Sequence, residues 1–232
     1  MNRLTIHQPD HLPYSGFISK VLLSDIYVVL DHVQYKKNNF QNRNKIINAE
    51  GQEVWLTIPL EKSSYDTPIN KKIISKDKTW KVKYINKLSS SYAKFLNFNY
   101  LFPKLENIIL SNDGSLIDIN LKIINFLLRD IFEYEGQIIL SSTLDIKTSK
   151  SDLNLDICKA VSATQYISGP SGRNYLDKKS FGSNKIELKF IDYKPVDFTN
   201  NVNPYISILD PLMRYEFLDI KSKIIANSNL CD

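Results

Sequence analysis

All three histidines of this chain fall within residues 7–45, HQPDHLPYSGFISKVLLSDIYVVLDHVQYKKNNFQNRNK, together with its densest cluster of amide, basic and aromatic side chains. No later stretch is as crowded with groups that bind anions or move protons. His7-Gln8-Pro9 stands where a first strand, Leu4-Thr5-Ile6, gives way to a loop. An imidazole titrates near working pH, so a histidine at a strand end can act as a general base or as an anion contact. The ordinary alternative is a histidine hydrogen-bonded within its own loop. Asp31 closes the apolar run Ile26 to Leu30 and can orient a histidine of the first loop, as supporting carboxylates do; capping the strand end is an equal alternative. In Gln34 to Arg43, Arg43 offers a planar fork for phosphate or carboxylate. Lys36 and Lys37 are mobile charges. Gln34, Gln41 and Asn42 are amides able to read a sugar or base, and Tyr35 and Phe40 can stack on a ring. By composition alone the same run is equally a solvated loop. A later segment, Ser168-Gly169-Pro170-Ser171-Gly172-Arg173, combines glycines that let backbone N–H groups approach an anion with an arginine charge. It is not a Walker A loop, because no Gly-Lys-Ser or Gly-Lys-Thr follows.

The elements that must position these groups follow from periodicity. After the first strand, Pro9 and Pro13 mark a loop, residues 16–24 carry apolar side chains at helical spacing, and residues 26–30 form a continuous apolar run suited to a buried parallel strand. Strand, loop, helix and strand within 31 residues make a βαβ unit. Residues 45–47 and 54–59 flank a turn signal and predict a hairpin. A helix is expected over 80–96, another opening at Pro103 because proline suits a first turn, and a long amphipathic helix over 115–134. Strands are expected at 137–140, 165–167 and 186–192, and helices over 151–162 and 206–215, with a weak helix in the tail. The alternation implies an α/β protein of one domain, 1–232, with 79–135 a mainly helical insertion or subdomain.

At 232 residues and 43% hydrophobic the chain is long enough to bury a core without staples. Its two cysteines, Cys158 and Cys231, lack disulfide or metal-ligand spacing, which predicts a reducing compartment and no metal site. Cys158 lies in an apolar helical pattern and reads as a packing thiol, and Cys231 as part of a mobile end. Met1-Asn2-Arg3 leads straight into a strand, so no signal peptide is expected, and no apolar run reaches the length of a membrane span. Together these predict a cytoplasmic protein with no membrane insertion. The formal net charge of +5 is scattered among asparagine and isoleucine along the whole chain. It therefore points away from nucleic acid and toward an anionic small molecule at the local basic cluster.

The run His7-Gln8-Pro9, Leu12-Pro13, Gly16-Phe17, Lys20, Ser24-Asp25, Leu30-Asp31, Val33-Gln34-Tyr35, Lys37 and Phe40-Gln41-Asn42-Arg43 resembles the start of WbqC-like proteins. The resemblance continues, in order, through Trp55 to Pro59, Ser141-Ser142, Tyr166 to Pro170, Tyr175-Leu176-Asp177 and Ser207 to Asp210. It implies an enzyme of bacterial surface-polysaccharide (O-antigen) biosynthesis that attaches an acyl or aminoacyl group to the amine of a nucleotide-linked amino sugar. In that scheme His7 takes a proton from the attacking amine and Asp31 orients the imidazole. Arg43 and Lys37 hold a diphosphate, and Gln8, Gln34, Gln41 and Asn42 read polar groups or a developing oxyanion. Ser168, Gly169 and Arg173 form a further wall. The acyl donor is open among a coenzyme A thioester, an acyl-carrier protein and an ATP-activated amino acid. This chain departs from the family at His11, where an aromatic residue is usual, and at Arg214-Tyr215-Glu216, where asparagine and glycine often close the motif. The first corner, His11-Leu12-Pro13-Tyr14, is also similar to the H-x-G-H corner of nucleotidyltransferases without its glycine and second histidine. The fold expectation is thus an N-terminal βαβ Rossmann-like (nucleotidyltransferase-like) sheet. Two other functions compete: a non-catalytic sugar-nucleotide binding or assembly protein, and an ATP-using nucleotidyltransferase-like enzyme. Product formation separates the first from a transferase, and pyrophosphate release identifies the second.

Overall fold

The computed structural model describes residues 2–198 and 203–232. Strand β1 (Arg3–His7) buries Leu4 and Ile6 in one core. Side chains alternate along a strand, so Thr5 and His7 face the other side. Helix α1 (Ser15–Leu22) crosses to β2 (Ile26–Val29), which runs parallel to β1 with Leu4 opposite Ile26 and His7 opposite Val29. β2 is apolar on both faces: Ile26 and Val28 join the core of Leu4 and Ile6, while Tyr27 and Val29 join the core of Phe17 and Val21. A parallel strand covered on both sides requires that composition. This is the βαβ unit that the sequence predicts.

The hairpin follows as β3 (Arg43–Ile47) and β4 (Glu53–Thr57). Its turn is closed by the Asn48 side chain, which accepts the Gln52 N–H at 2.7 Å, and by Gly51 at φ 79°, a value that favours glycine. Next come α2 (Thr79–Tyr92), α3 (Phe98–Ser111) and α4 (Leu116–Asn125). α4 starts where the Ser115 hydroxyl accepts the Asp118 N–H at 3.3 Å, an N-cap. It continues into a π-helical segment, Phe126–Ile131, so the long helix expected over 115–134 is two segments of different pitch. β5 (Gln137–Leu140) pairs parallel to β2. Then follow α5 (Lys150–Ala160), β6 (Gln165–Ser168) parallel to β1, α6 (Lys178–Ser183), β7 (Glu187–Tyr193), α7 (Leu209–Arg214), α8 (Phe217–Ala226) and β8 (Ser228–Cys231).

The six-stranded sheet has the order β5-β2-β1-β6-β7-β8, parallel except for β8. The chain builds from β1 outward through β2 to β5, then returns to the other side of β1 as β6. The switch point lies between β1 and β6, and in open α/β sheets ligands bind beyond the carboxyl ends of the strands at such a point.

Three expectations are corrected. The helix expected to open at Pro103 begins five residues earlier, at Phe98. Its start is held by the Asn97 side chain, which donates to the carbonyls of Leu212 and Tyr215 at 2.8 Å each, and by Phe98 stacked on Phe102 at 4.6 Å. The proline sits in the second turn, and burial of Leu101, Leu105 and Ile109 offsets its cost of roughly 3 kcal/mol. The tail is more than a weak helix, because β8 adds an antiparallel strand with Phe190 opposite Cys231. Cys231 is therefore held in the sheet, its thiol donating to the Phe190 carbonyl at 3.3 Å. Residues 79–135 are mainly helical as expected, and their Trp80, Leu88, Leu101 and Ile123 share one core with Phe17, Tyr27 and Leu212.

Candidate functional site

At the carboxyl ends of β1 and β6, a cavity of about 440 Å3 is lined by His7, Gln8, Lys20, Lys36, Ser168 and Gly169, with Tyr14, Phe17, Tyr166 and Tyr175 as aromatic walls. The His7 ring packs edge-on against Phe17, centroids 5.0 Å apart. Its Nδ1 lies 3.0 Å from the Gln8 carbonyl oxygen. A carbonyl only accepts, so Nδ1 carries the proton and Nε2 keeps its lone pair. Burial, reinforced by the charge of Lys20 and opposed by the Gln8 bond, holds His7 down at about 3. The imidazole is therefore neutral at any working pH.

Two charged residues that the sequence reading did not single out for a role lie against this ring. The Asp10 carboxylate stands 3.7 Å from His7 Nδ1, and burial pushes it up to about 7 against the pull of Lys20. Lys20, on α1, donates to the Ile6 carbonyl at 3.0 Å. Burial pushes its ammonium down to about 7, opposed by Asp10. Burial thus moves both groups toward neutrality from opposite sides, and of the two Lys20 lines the cavity. A sequence signal existed: Lys20 breaks the apolar face of α1 between Phe17 and Val21, and Asp10 is the acid nearest His7.

Gln8 is held in place by Gln41, whose amide donates to the Gln8 side-chain oxygen at 2.6 Å and accepts the Lys36 N–H at 2.9 Å. Gln41 is fully buried; it positions Gln8 and does not itself reach the cavity. Ser168 and Gly169 both line the cavity. A Cβ added at Gly169 would meet nothing within 4 Å, whereas one at Gly172 would come within 2.2 Å of the Ser168 hydroxyl. Gly169 thus borders open space, and Gly172 is packed against Ser168.

The other expected residues lie elsewhere. Asp31 does not approach His7. Its two oxygens accept from the Ser141 hydroxyl at 2.9 Å, the Ser142 N–H at 2.9 Å, the Ser142 hydroxyl at 2.6 Å and the Asn70 amide at 3.2 Å. It ties the end of β2 to the turn after β5. The reason is register: β2 pairs with β5 as well as β1, and Asp31 turns to the β5 side. His32 joins the same knot, with Nδ1 2.6 Å from the Ser141 hydroxyl. Gln34 is exposed and donates to the Tyr65 carbonyl at 3.0 Å. Asn42 accepts from the Tyr35 hydroxyl and donates to the Ile58 carbonyl, each at 2.8 Å. Lys37, Asn42 and Arg43 line a second cavity, on the far side of the 36–38 loop from His7. Arg173 lines neither; it stacks on Phe190 at 4.4 Å and donates to Cys231 Sγ. His11 is fully buried between the Asn120 side-chain oxygen, 3.1 Å from Nδ1, and the Tyr84 hydroxyl, 2.9 Å from Nε2. It is a packing histidine, in keeping with its departure from the family pattern.

The model of the WbqC-like protein family matches residues 8–221. An uncharacterized protein of Mycobacterium tuberculosis is 27% identical over 221 residues, covering 91% of this chain and 93% of that protein. Among the described residues, no helix is long and apolar enough to cross a membrane.

Proposed function

This chain belongs to the WbqC-like protein family, and from that premise we propose that it is a transferase of bacterial surface-polysaccharide biosynthesis, moving an acyl or aminoacyl group onto the amine of a nucleotide-linked amino sugar. The observation that carries this reading is His7, with Nδ1 pinned to a carbonyl and Nε2 bearing a lone pair in a cavity at the sheet's switch point. A histidine held at about 3 is a weak base, so it can take only a proton that the reaction itself has made more acidic. Attack of an amine on an acyl carbon produces such a proton, on the nitrogen of the tetrahedral intermediate. His7 removes it, and Lys20 supplies a proton to the departing group from the cavity floor. Gln8, Ser168 and Gly169 line the same cavity. The donor is a coenzyme A thioester, an acyl-carrier protein or an ATP-activated amino acid.

The test is mass-spectrometric detection of an acylated amino-sugar nucleotide after the purified protein meets each donor class. Product is expected, with its rate falling about 10²–10⁴-fold in His7→Ala. Binding of the sugar nucleotide without product from any donor would favour the binding-protein reading. Pyrophosphate release from ATP without amide formation would favour nucleotidyl transfer.

A further inference from the structure

We infer that the second cavity, between the hairpin and the 60–65 loop, is a nucleoside-phosphate site in which Arg43 and Lys72 meet the phosphate and Tyr35 flanks the base. The cavity measures about 630 Å3, within the range of small-molecule sites. Lys72 is 7% exposed, yet among the described residues no carboxylate pairs with it. Its ammonium reaches only the Ser63 hydroxyl and the face of Tyr35, 4.6 Å from the ring centre. Arg43 lies over Trp55 at 4.3 Å and gives one N–H to the Asn38 carbonyl at 3.0 Å. Its Nε is buried with no hydrogen-bond partner among the described residues.

Burying a cation without a counter-charge is costly. The buried Lys72 and the half-buried Arg43 with its buried Nε, lining one cavity with Lys37 and Lys62 at its edge against a single acid, Glu61, are accounted for by an anion that the protein alone does not supply. A guanidinium with a spare N–H suits a phosphate oxygen. A planar ring beside the charge suits a nucleobase. Tyr35 is itself positioned by its hydroxyl on Asn42, which gives that amide a supporting role. The inference deepens the transferase reading by giving its phosphate-bearing substrate a seat across the 36–38 loop from His7. Binding alone tests it, so it can fail while the transfer reaction stands, and the reverse.

The experiment is isothermal titration of the full chain with UDP, ADP, pyrophosphate and inorganic phosphate, on the wild type and on Lys72→Met, Arg43→Met and His7→Ala. At least one nucleoside diphosphate is expected to bind more tightly than pyrophosphate. Each cavity substitution should weaken it at least tenfold, and His7→Ala should change it less than twofold. Thermal melting separates this from a structural role. With an uncompensated charge removed, unliganded Lys72→Met should melt no lower than the wild type while losing the ligand-induced rise. The inference is overturned if neither nucleotide binds below millimolar concentration. It is equally overturned if Lys72→Met and Arg43→Met bind as the wild type does, or if pyrophosphate binds as tightly as both nucleotides.

Discussion

At the scale of single residues, burial decides what the histidines do. His7 and His11 have the same chemistry, and both are held far below an ordinary imidazole, at about 3 and about 4, chiefly by desolvation. They differ in that His7 has a free nitrogen facing a cavity while both nitrogens of His11 are engaged. His7 is legible in the sequence because it stands at a strand end; which of its two roles Asp31 takes is not, because sequence neighbourhood does not reveal which adjacent strand a side chain will turn toward. Both buried histidines carry a consequence for stability. Folded, they take up protons only near pH 3 and 4; unfolded, near 6.5. Below pH 6.5 the unfolded chain therefore binds more protons, and the stability present above 6.5 is lost as pH falls. Asp10, raised to about 7, acts in the opposite sense over the same window and offsets one histidine. Lys20 acts above pH 7, and exposed carboxylates held low, such as Asp113, act below 3.8. The expected net slope between pH 6 and 4.5 is about 1.4 kcal/mol per unit, read as a falling urea midpoint, and Asp10→Asn should steepen it. A midpoint that stays flat from 6.5 to 4.5 would mean that one of the two folded histidines takes up its proton within that range, and one that rises would mean that both do.

At the scale of elements, periodicity revealed the strands and the hairpin because their apolar patterns are short-range. It could not reveal β8, whose Ser-Asn-Leu-Cys is no strand by composition and exists because the edge of β7 offers it a partner. Nor could it place α3, whose start is fixed by Asn97 reaching the carbonyls of a distant turn. The knot at Asp31 belongs to this class of long-range ties. Four hydrogen bonds converge on a carboxylate that is 1% exposed. Asp31→Ala leaves the buried Ser141 hydroxyl without its acceptor and frees the exposed Ser142 from the turn, so it should destabilise the fold by on the order of 3 kcal/mol. The transfer rate per folded molecule should stay within a few-fold, because His7 is oriented by Gln8. A loss of turnover of 10²-fold at undiminished stability would restore Asp31 to the reacting centre. Asn120 makes a parallel case: its amide spans the carbonyls of Pro9 and Gln41 at 2.8 and 2.7 Å and its oxygen meets His11. Asn120→Ala should therefore cost about 2–4 kcal/mol and loosen the loop that carries Gln8 and Gln41, raising KM more than it lowers kcat.

At the scale of the molecule, the layout of the site follows from one long excursion of the chain. β2 and β5 are adjacent and parallel, yet every residue from 30 to 136 lies between them, including the hairpin, α2, α3 and α4. Residues 79–135 are the helical part of the crossover between these neighbouring strands. The helices of this excursion pack into the same core as α1, α7 and α8, and Asn120 on α4 holds the first loop beside the His7 cavity. The scaffold and the site should therefore unfold as one cooperative unit, which equilibrium unfolding can examine. Tryptophan fluorescence, from Trp55 on β4 and Trp80 on α2, reports only on the excursion, while far-UV circular dichroism reports on the whole chain. The two urea transitions should coincide, and a chain in which 79–135 is replaced by a short linker should fail to fold, because Phe17, Tyr27, Val29 and Leu212 would lose the partners that cover them. Transitions separated by more than their error, or a folded truncated chain, would establish 79–135 as an independent unit. The loop that connects Gln8 to the cavity would then owe its position to the sheet alone.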